Sequence, residues 1–595
     1  MIILGINDSH NATAAILKDG KIIACVSEER FTRIKNQGGI PIKSINYCLE
    51  QSNVKGSELD GIFISGQYPT PLVFSTSTKD IKNPTRVSIM GNIYSRARHY
   101  QYFVLKQWLE YHFPVAEKIN DQIYNLSIKI ITPRVKAQKK EAYSKLLSIS
   151  KDKVFFVDHH ICHAYAAIFS SNFPLQRKDA LVFTADAQGD KLSASLSVYK
   201  NNQFNREVEI PIRDSLGAFF TEITIYLGMK PNEHEYKVMG LAPYAPENEV
   251  AKVYKILSQL IWLDKKSLQF KSLIHSELFS KYLKERLPGY RFDYIAGAAQ
   301  KLTENLLTSW IEENVKKYKI NNVACGGGVF MNVKANQKIT ESPQVRQAFF
   351  MPSSGDESNA IGAAFWGFIT LTNLVPHPLT HLYLGPEFTA KEINSSIKKI
   401  QHKNKYEVKF HRNIEEKIAD LLSKGHIVAR FAGKMEWGAR SLGNRSILSS
   451  PNKSENIQTI NKMIKSRDFW MPFAPVILDK WQNRYLKKSE KVDAPYMTIT
   501  FNSTSLAQKD LIATIHPYDK TLRPQILVEN WNPSLYKIIT IFSKKTGIGS
   551  ILNTSFNLHG EPIVLSPADA IRTFEMSNLN YLAMENFLIS KNHLN

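Results

Sequence analysis

Cysteine is scarce and scattered: four occur in 595 residues, Cys25, Cys48, Cys162 and Cys325, with no CxxC pair among them. That spacing excludes zinc ribbons and a disulfide framework and fits a reducing compartment. Long apolar runs are missing as well. The longest, AIGAAFWGFITLTNLV from Ala360 to Val375, is interrupted by Gly, Thr and Asn and falls short of the roughly 20 apolar residues of a membrane span, so it reads as a buried helix. The opening MIILGINDSH has no basic leader and too short an apolar run for a signal-peptide core, which makes a cytoplasmic protein the expectation. Acidic residues are the third shortage, 54 Asp and Glu against 76 Lys and Arg, a formal charge of +22. Such a charge attracts polyanions. The lysines are spread through an Ile-, Asn- and Lys-rich chain, however, which reads as a solvated basic surface with no dedicated nucleic-acid face.

What is present is an ordinary globular composition, 43% hydrophobic, in a chain long enough for about two to four domains. The start reads as an antiparallel meander: IILGIN, the polar turn DSHN, ATAAILK, the tight turn DGK, then IIACVSEE. A second meander is expected in ALVFTADAQGDKLSASLSVY, with its turn at DAQGD. Two meanders, each followed by helices, are the pattern of a duplicated actin-like fold, although the halves share no visible sequence identity. Arg86 to Lys140, with interleaved aromatics and basics, reads as a helical insertion. DYIAGAAQKLTENLLTSWIEENVKKY has helical apolar spacing, and NNVACGG leads through GGGVFMN into a helix over VKANQKI. The three prolines of TNLVPHPLTHLYLGP mark a boundary near Val375 to Thr380. The remainder alternates helix and strand as a separate α/β domain.

Several groups can carry chemistry. FVDHHICHAYAA puts three histidines in five positions. On a helix, His159 and His163 share a face at about 5–6 Å, His160 lies about 100° away from His159, and His160 with His163 is a further pairing, so spacing leaves the choice open. Bare HxxxH spacing also serves structural and surface roles. Two imidazoles need carboxylates to complete a metal site, and Asp186 in TADAQGD and Asp356 in SSGDES are the turn aspartates available. Such a set suits Fe2+ or another divalent Lewis acid. His10, in the first turn, is a proton acceptor near neutral pH if its surroundings use it so. The glycines Gly326 and Gly327 allow close approach of backbone to a nucleotide or simply a sharp turn. In the last third, Arg430, Lys434, Arg440, Arg445, Arg467 and Arg523 stand inside glycine- and aromatic-punctuated segments, followed by Asn553, Ser555 and Asn557. Guanidiniums converging on a cleft bind a triphosphate bidentately, so a phosphate pocket is expected there.

Taken in order, the motifs SHNATAAIL, VSEERFTRIKN, VDHHICHAYAA, EYKVMGLAPY, GGGVFMNVKAN, SSGDESNAIGAA, GARSLGNRSIL, WMPFAP and LNTSFNLHGEPIV resemble those of the NodU/CmcH-type O-carbamoyltransferases over nearly the whole chain. The resemblance implies an amino-terminal Kae-like domain of the actin-like (ASKHA) class over residues 1–377, with 85–140 as an insertion, and a YrdC-like domain over 378–595. It implies ATP, with Mg2+ as its usual companion, and carbamoyl phosphate as co-substrates, a carbamoyl adenylate made in the second domain, and transfer to a small-molecule, natural-product or glycan hydroxyl in the first. By the same resemblance His159, His163, Asp186 and Asp356 hold Fe2+, His10 is the base, and Arg33, Lys35, Lys237, Gly326, Gly327 and Asn332 contact nucleotide or carbamoyl. Two departures stand out: Ala187 occupies a usual glycine position after Asp186, and Ala439 and Ser441 replace a proline and an alanine. A tRNA-modifying threonylcarbamoyl-type transferase is the alternative. Hydrogenase-maturation carbamoylation would bring CxxC pairs and an acylphosphatase segment, and an actin-like scaffold would leave the His, Asp and Arg constellations idle. The acceptor stays open, with 86–140 expected to shape its pocket, and a homo-oligomer is compatible with the sequence.

Overall fold

The computed structural model describes residues 1–68, 111, 114–401, 405–465, 468, 470–487 and 490–592. The amino-terminal part holds two five-stranded sheets of one plan. In the first, β1 (Ile2–Asn7), β2 (Thr13–Lys18) and β3 (Lys21–Ser27) form an antiparallel meander, and β4 (Gly61–Ser65) and β5 (Val154–Val157) continue it in parallel beyond β1. In the second, the meander is β6 (Ala180–Gly189), β7 (Leu192–Lys200) and β8 (Gln203–Pro211). A ribbon of β9 (Ile261–Asp264) and β10 (Gln269–Ser272) follows in the chain, and the parallel strands are β11 (Asn322–Gly326) and β12 (Gln347–Phe350). Both sheets therefore run third, second, first, fourth, fifth, the duplicated order of an actin-like fold.

Turn chemistry explains how unlike sequences build the same meander. The two-residue hairpins at Asp19-Gly20 (φ 50° and 80°), Asp190-Lys191 (49° and 71°) and Asn201-Asn202 (53° and 60°) are all left-handed at both positions, the geometry that matches strand twist. DAQGD is not the second turn. Strand β6 runs on to Gly189 through a register shift after Ala185, and the chain reverses at Asp190-Lys191.

Strand β1 is apolar on both faces because both are covered. Leu4 and Ile6 pack with Ile45 and Cys48 of the helix Ile42–Ser52, whereas Ile3 and Phe63 pack with Ala360 and Ala364 of the helix Asn359–Thr372. The long apolar run is thus the buried helix it was expected to be. It crosses the helix His159–Ser170 so closely that a Cβ on Gly362 would stand 1.8 Å from the Cys162 carbonyl oxygen.

The helical insertion is seen from residue 114 onward, as the single helix Pro114–Leu147; most of 85–113 lies outside the described residues. Residues 373–389 carry no helix or strand and form a strap tied to both sides: His377 N donates to Gly20 O (2.8 Å), Cys25 N to Leu384 O (3.2 Å) and Trp437 N to Leu382 O (2.7 Å). Past the strap, β13 (Tyr406–Phe410), β14 (Val428–Phe431), β15 (Arg445–Ser449), β16 (Ala474–Leu478), β20 (Gln525–Leu527), β21 (Ser550–Ser555), β22 (Tyr581–Met584) and β23 (Phe587–Lys591) make a mixed sheet ordered β13-β23-β22-β14-β15-β21-β16-β20. A small sheet of β17 (Leu486–Lys487), β18 (Phe501–Ser503) and β19 (Thr521–Leu522) flanks it. Among the described residues no helix is long and apolar enough to cross a membrane.

Gly362→Val should lower the unfolding free energy by about 1–3 kcal/mol through overpacking at the helix crossing, measured by urea denaturation. A variant as stable as the parent would show that the crossing tolerates a side chain.

Candidate active site

Each proposed metal ligand leaves the carboxyl end of a strand. His159 and His163 open the helix that follows β5, Asp186 lies in β6, and Asp356 begins the turn between β12 and the helix Asn359–Thr372. Of the three histidine pairings, the structure selects His159 with His163, whose Nε2 atoms are 3.1 Å apart. Asp186 Oδ2 stands 3.0 Å from His163 Nε2 and 3.7 Å from His159 Nε2, and Asp356 Oδ1 is 3.5 Å from both. One ligand atom from each of the four lies within 4.8 Å of the others. Nitrogen and oxygen ligands at about 2.0–2.2 Å from one ion sit roughly 3–3.5 Å from each other, so this donor set fits a divalent cation. His160 turns away, its Nδ1 2.8 Å from Thr184 Oγ1, and burial lowers its pKa to about 3.

The surroundings fix these side chains. Asp158 caps the histidine helix by accepting from Ile161 N (2.8 Å) and is itself held by Arg206. Asp190 accepts from His159 N and Gln67 N (2.7 Å each) and from Tyr68 N (2.8 Å). Ser358 Oγ donates to Gly355 O, and His163 Nδ1 lies 3.3 Å away from the same hydroxyl. A neutral His163 therefore keeps its proton on Nδ1, leaving the Nε2 lone pair toward the cluster. A Cβ on Gly189 would fall 2.1 Å from the His159 ring. Ala187, at a usual glycine position, needs no left-handed backbone: its N–H donates to Asp186 Oδ1 (2.6 Å) and its carbonyl accepts from Ser215 (2.7 Å). Burial opposes charge on these imidazoles, yet the carboxylates win. Asp356 and Asp186 together raise His159 to about 9, and His163 is raised by the same pair. Burial also opposes ionisation of Asp186, but hydrogen bonding from His159 and His163 holds its carboxyl well below the usual range.

The other predicted positions divide. His10 is exposed in the turn after β1, where its carbonyl accepts from Asn7 Nδ2 (2.7 Å). Gly326 and Gly327 press against the ligand-bearing backbone, their added Cβ atoms 2.7 Å from His163 O and 2.3 Å from Ala185 O; Gly327 has φ +94°. Asn332 caps the helix Val333–Glu341 and exchanges two 2.9 Å hydrogen bonds with Gln300. Gln300, but not Asn332, lines a 610 Å³ cleft whose walls include Glu304, Lys334, Gln337 and Asp519. Arg33 spans to the carboxy-terminal part, donating to Pro562 O and Ile563 O (2.6 Å each). Lys35 pairs with Glu233 (3.2 Å) and Lys237 with Asp468 (3.0 Å).

In the carboxy-terminal part, Arg430 and Arg445 depart from the phosphate-pocket expectation. Arg445 is fully buried, with Nη1 donating to Ala432 O (2.8 Å), Nη2 to Gly433 O (3.1 Å), and its guanidinium 3.7 Å from the centre of the Phe431 ring. Arg430 donates to Gly443 O (2.7 Å), Asn444 Oδ1 (2.8 Å) and Ser534 Oγ (3.0 Å). Apolar, glycine-rich segments fold inward, and their planar donors are taken by the carbonyls that come with them. Asn553 is likewise buried, donating to Ser441 O (3.0 Å). Lys434 is exposed, Arg440 and Arg523 are half-buried, and Arg467 lies outside the described residues. Lys465, which sequence reasoning missed, is buried and donates to Ser555 Oγ (3.0 Å) and Asn557 Oδ1 (2.6 Å). Buried Glu436 accepts from the N–H groups of Leu442 (2.6 Å) and Arg445 (3.2 Å), shaping the GARSLGNRS loop. That loop touches the Asp356 turn: Ala439 N donates to Ser353 Oγ (2.8 Å), and Arg30 donates to Gly438 O (2.9 Å).

An actin-like duplicated core carrying a clustered His and Asp set is thus joined to a second α/β unit. The chain belongs to the carbamoyltransferase family: residues 2–365 match the model of the carbamoyltransferase amino terminus and residues 419–591 that of its carboxy terminus. It is similar to an uncharacterized protein of Methanocaldococcus jannaschii, MJ1051, at 31% identity over 99% of this chain and 100% of that one. Nodulation protein NolNO of Sinorhizobium fredii is 28% identical over 98% of this chain and 79% of its own. The 3'-hydroxymethylcephem-O-carbamoyltransferase of Streptomyces clavuligerus is 24% identical over 47% of this chain and 50% of its own.

Proton linkage follows from the cluster. With its folded pKa raised to about 9, His159 stabilises the metal-free protein fully below its unfolded value of about 6.5, and that contribution fades as pH rises through 9. A divalent ion must displace the proton, so binding at pH 7 should release about one proton or more. Calorimetry of Fe2+ or Co2+ binding in buffers of different ionisation enthalpy measures the number; none released would remove these imidazoles from the site.

Proposed function

We propose that the protein is an ATP-dependent O-carbamoyltransferase. The carrying observation is the convergence of His159, His163, Asp186 and Asp356 in a chain that matches both halves of the family. In the carboxy-terminal unit, carbamoyl phosphate and one water give carbamate and phosphate, and a carbamate oxygen attacks the α-phosphorus of ATP. Pyrophosphate leaves and carbamoyl adenylate remains. Lys465, Ser555 and Asn557, with Lys434, Arg440, Arg467 and Arg523, are the groups assigned to these anions; Mg2+ accompanies the ATP. The contact between the GARSLGNRS loop and the Asp356 turn supports a short passage of the adenylate to the amino-terminal site.

There, a hydroxyl oxygen of the acceptor attacks the carbamoyl carbon, the carbon–oxygen bond to AMP breaks, and the acceptor proton passes to a ring nitrogen of His10. The four-residue cluster would hold the divalent ion, Fe2+ by family resemblance, which supplies Lewis acidity at the carbonyl when bound. The exposure of His10 supports this reading, since it leaves the ring open to a diffusing acceptor. Gly326 and Gly327, against the backbone of His163 and Ala185, and Asn332, bonded to the cleft-lining Gln300, are assigned to the nucleotide, whereas Arg33, Lys35 and Lys237 serve it through the loops that they pair. A small-molecule or glycan hydroxyl is the acceptor class, in line with the hydroxymethyl substrate in the name of one relative.

With carbamoyl phosphate and labelled ATP, the protein should release pyrophosphate without tRNA; release that requires tRNA would favour a threonylcarbamoyl-type transferase. His10→Ala should keep pyrophosphate release and lower carbamoyl transfer by about 100-fold or more, read as AMP formation. Loss of both steps together would remove His10 from the base role.

A further inference from the structure

Beneath the exposed His10 lies a buried ion pair that no step above uses. Lys139 Nζ is 2.8 Å from both carboxylate oxygens of Asp8, and both side chains are only 3% exposed. Tyr143 Oη donates to Asp8 Oδ2 at 3.0 Å. Asp8 is two residues before His10, whereas Lys139 and Tyr143 belong to the helix Pro114–Leu147. One turn earlier on that helix, Lys136 donates to Gln67 Oε1 (2.7 Å). Gln67 N shares Asp190 with His159 N, 2.7 Å each. Positions 136, 139 and 143 recur at three and four residues, one helical face. That single face therefore grips the base turn on one side and the backbone of the metal-ligand helix on the other.

A buried ion pair is a poor choice for stability alone, because apolar packing holds a helix as well without desolvating two charges; its use is to fix one geometry. Here the geometry fixed is that of the turn. The turn's other ties include Asn7 Nδ2 to His10 O (2.7 Å), Ser9 Oγ to Asn7 Oδ1 (2.8 Å), Asn11 Nδ2 to Glu357 Oε2 (3.3 Å) and Ala12 N to Gln37 O (2.8 Å); the last two flank His10 on its carboxyl side, whereas Asp8 holds the turn on its amino side. We propose that Lys139, with Tyr143, is a positioning residue for His10: acting through Asp8, it holds the base turn, so that carbamoyl transfer, and not adenylate formation, depends on the insertion helix. This rests on the function proposed above.

The test uses full-length, metal-loaded protein with Lys139→Met, Lys139→Arg and Tyr143→Phe. Pyrophosphate release from ATP and carbamoyl phosphate reports the first step, and AMP release with water as the acceptor reports the second. Amide hydrogen exchange over residues 4–14 reports the turn directly. Lys139→Met should keep pyrophosphate release within about twofold and lose AMP release about 100-fold, the scale of a displaced catalytic group; Lys139→Arg should regain most of it. Tyr143→Phe, which leaves the fold's packing intact, should lose about three- to tenfold. Exchange over 4–14 should quicken at least about tenfold in Lys139→Met. AMP release unchanged in Lys139→Met and Tyr143→Phe would overturn the proposal. So would equal loss of both steps in Lys139→Met with Tyr143→Phe unaffected. If the parent protein itself releases no pyrophosphate, the functional reading fails, and exchange decides alone: quickened exchange supports the positioning role, and unchanged exchange overturns it.

Discussion

Two imidazoles and two carboxylates meet at one point here beside contacts where backbones and rings come closer than a side chain would permit. His159 lies against Gly189, where a Cβ would be 2.1 Å from the ring, and the helix bearing both histidines meets its partner at Gly362. The sheets, the left-handed hairpins and the buried helix crossing all act to bring these strand ends together.

Charge is the second constraint. Asp186 and Asp356 are 16% and 17% exposed, beside imidazoles that are 8% and 0% exposed, so each carboxylate must be neutralised where it stands. Without a cation the cluster does this by retaining protons on its histidines. On the proposed reading, a divalent cation would take the same carboxylates as ligands, and those protons would leave.

Some arginines do a different task from the one their surroundings suggested. Arg33 reaches across to the 562–563 carbonyls, and Arg445 threads among the carbonyls of 432 and 433 beneath Phe431. Both join segments that are distant in sequence. A guanidinium satisfies several carbonyls in one plane, which a lysine cannot do. The polar cluster of Lys465, Ser555 and Asn557 brings β21 and the 461–465 turn together instead, leaving the more exposed Lys434, Arg440 and Arg523 at the edges of the same unit.

Much of this was readable in the chain. The meanders and the buried helix within Ala360 to Val375 came from turn residues and apolar runs, which depend on local spacing, whereas the set of His159, His163, Asp186 and Asp356 came from the family resemblance of the ordered motifs. The role of Asp190, the extension of β6 beyond DAQGD and the pairing of Lys139 with Asp8 depend on contacts between residues far apart in sequence, for which spacing carries no signal. The same holds for the arginines: glycine and aromatic neighbours marked Arg430 and Arg445 as special, but whether a guanidinium faces a cleft or a set of carbonyls is decided by which way its segment folds. The sequence determined the types of group and the elements that bear them, since these follow from local conformational preference. Tertiary structure alone decided which histidine was left out, where each positive charge points and which helix holds the turn that carries His10, since those outcomes require the chain to close upon itself.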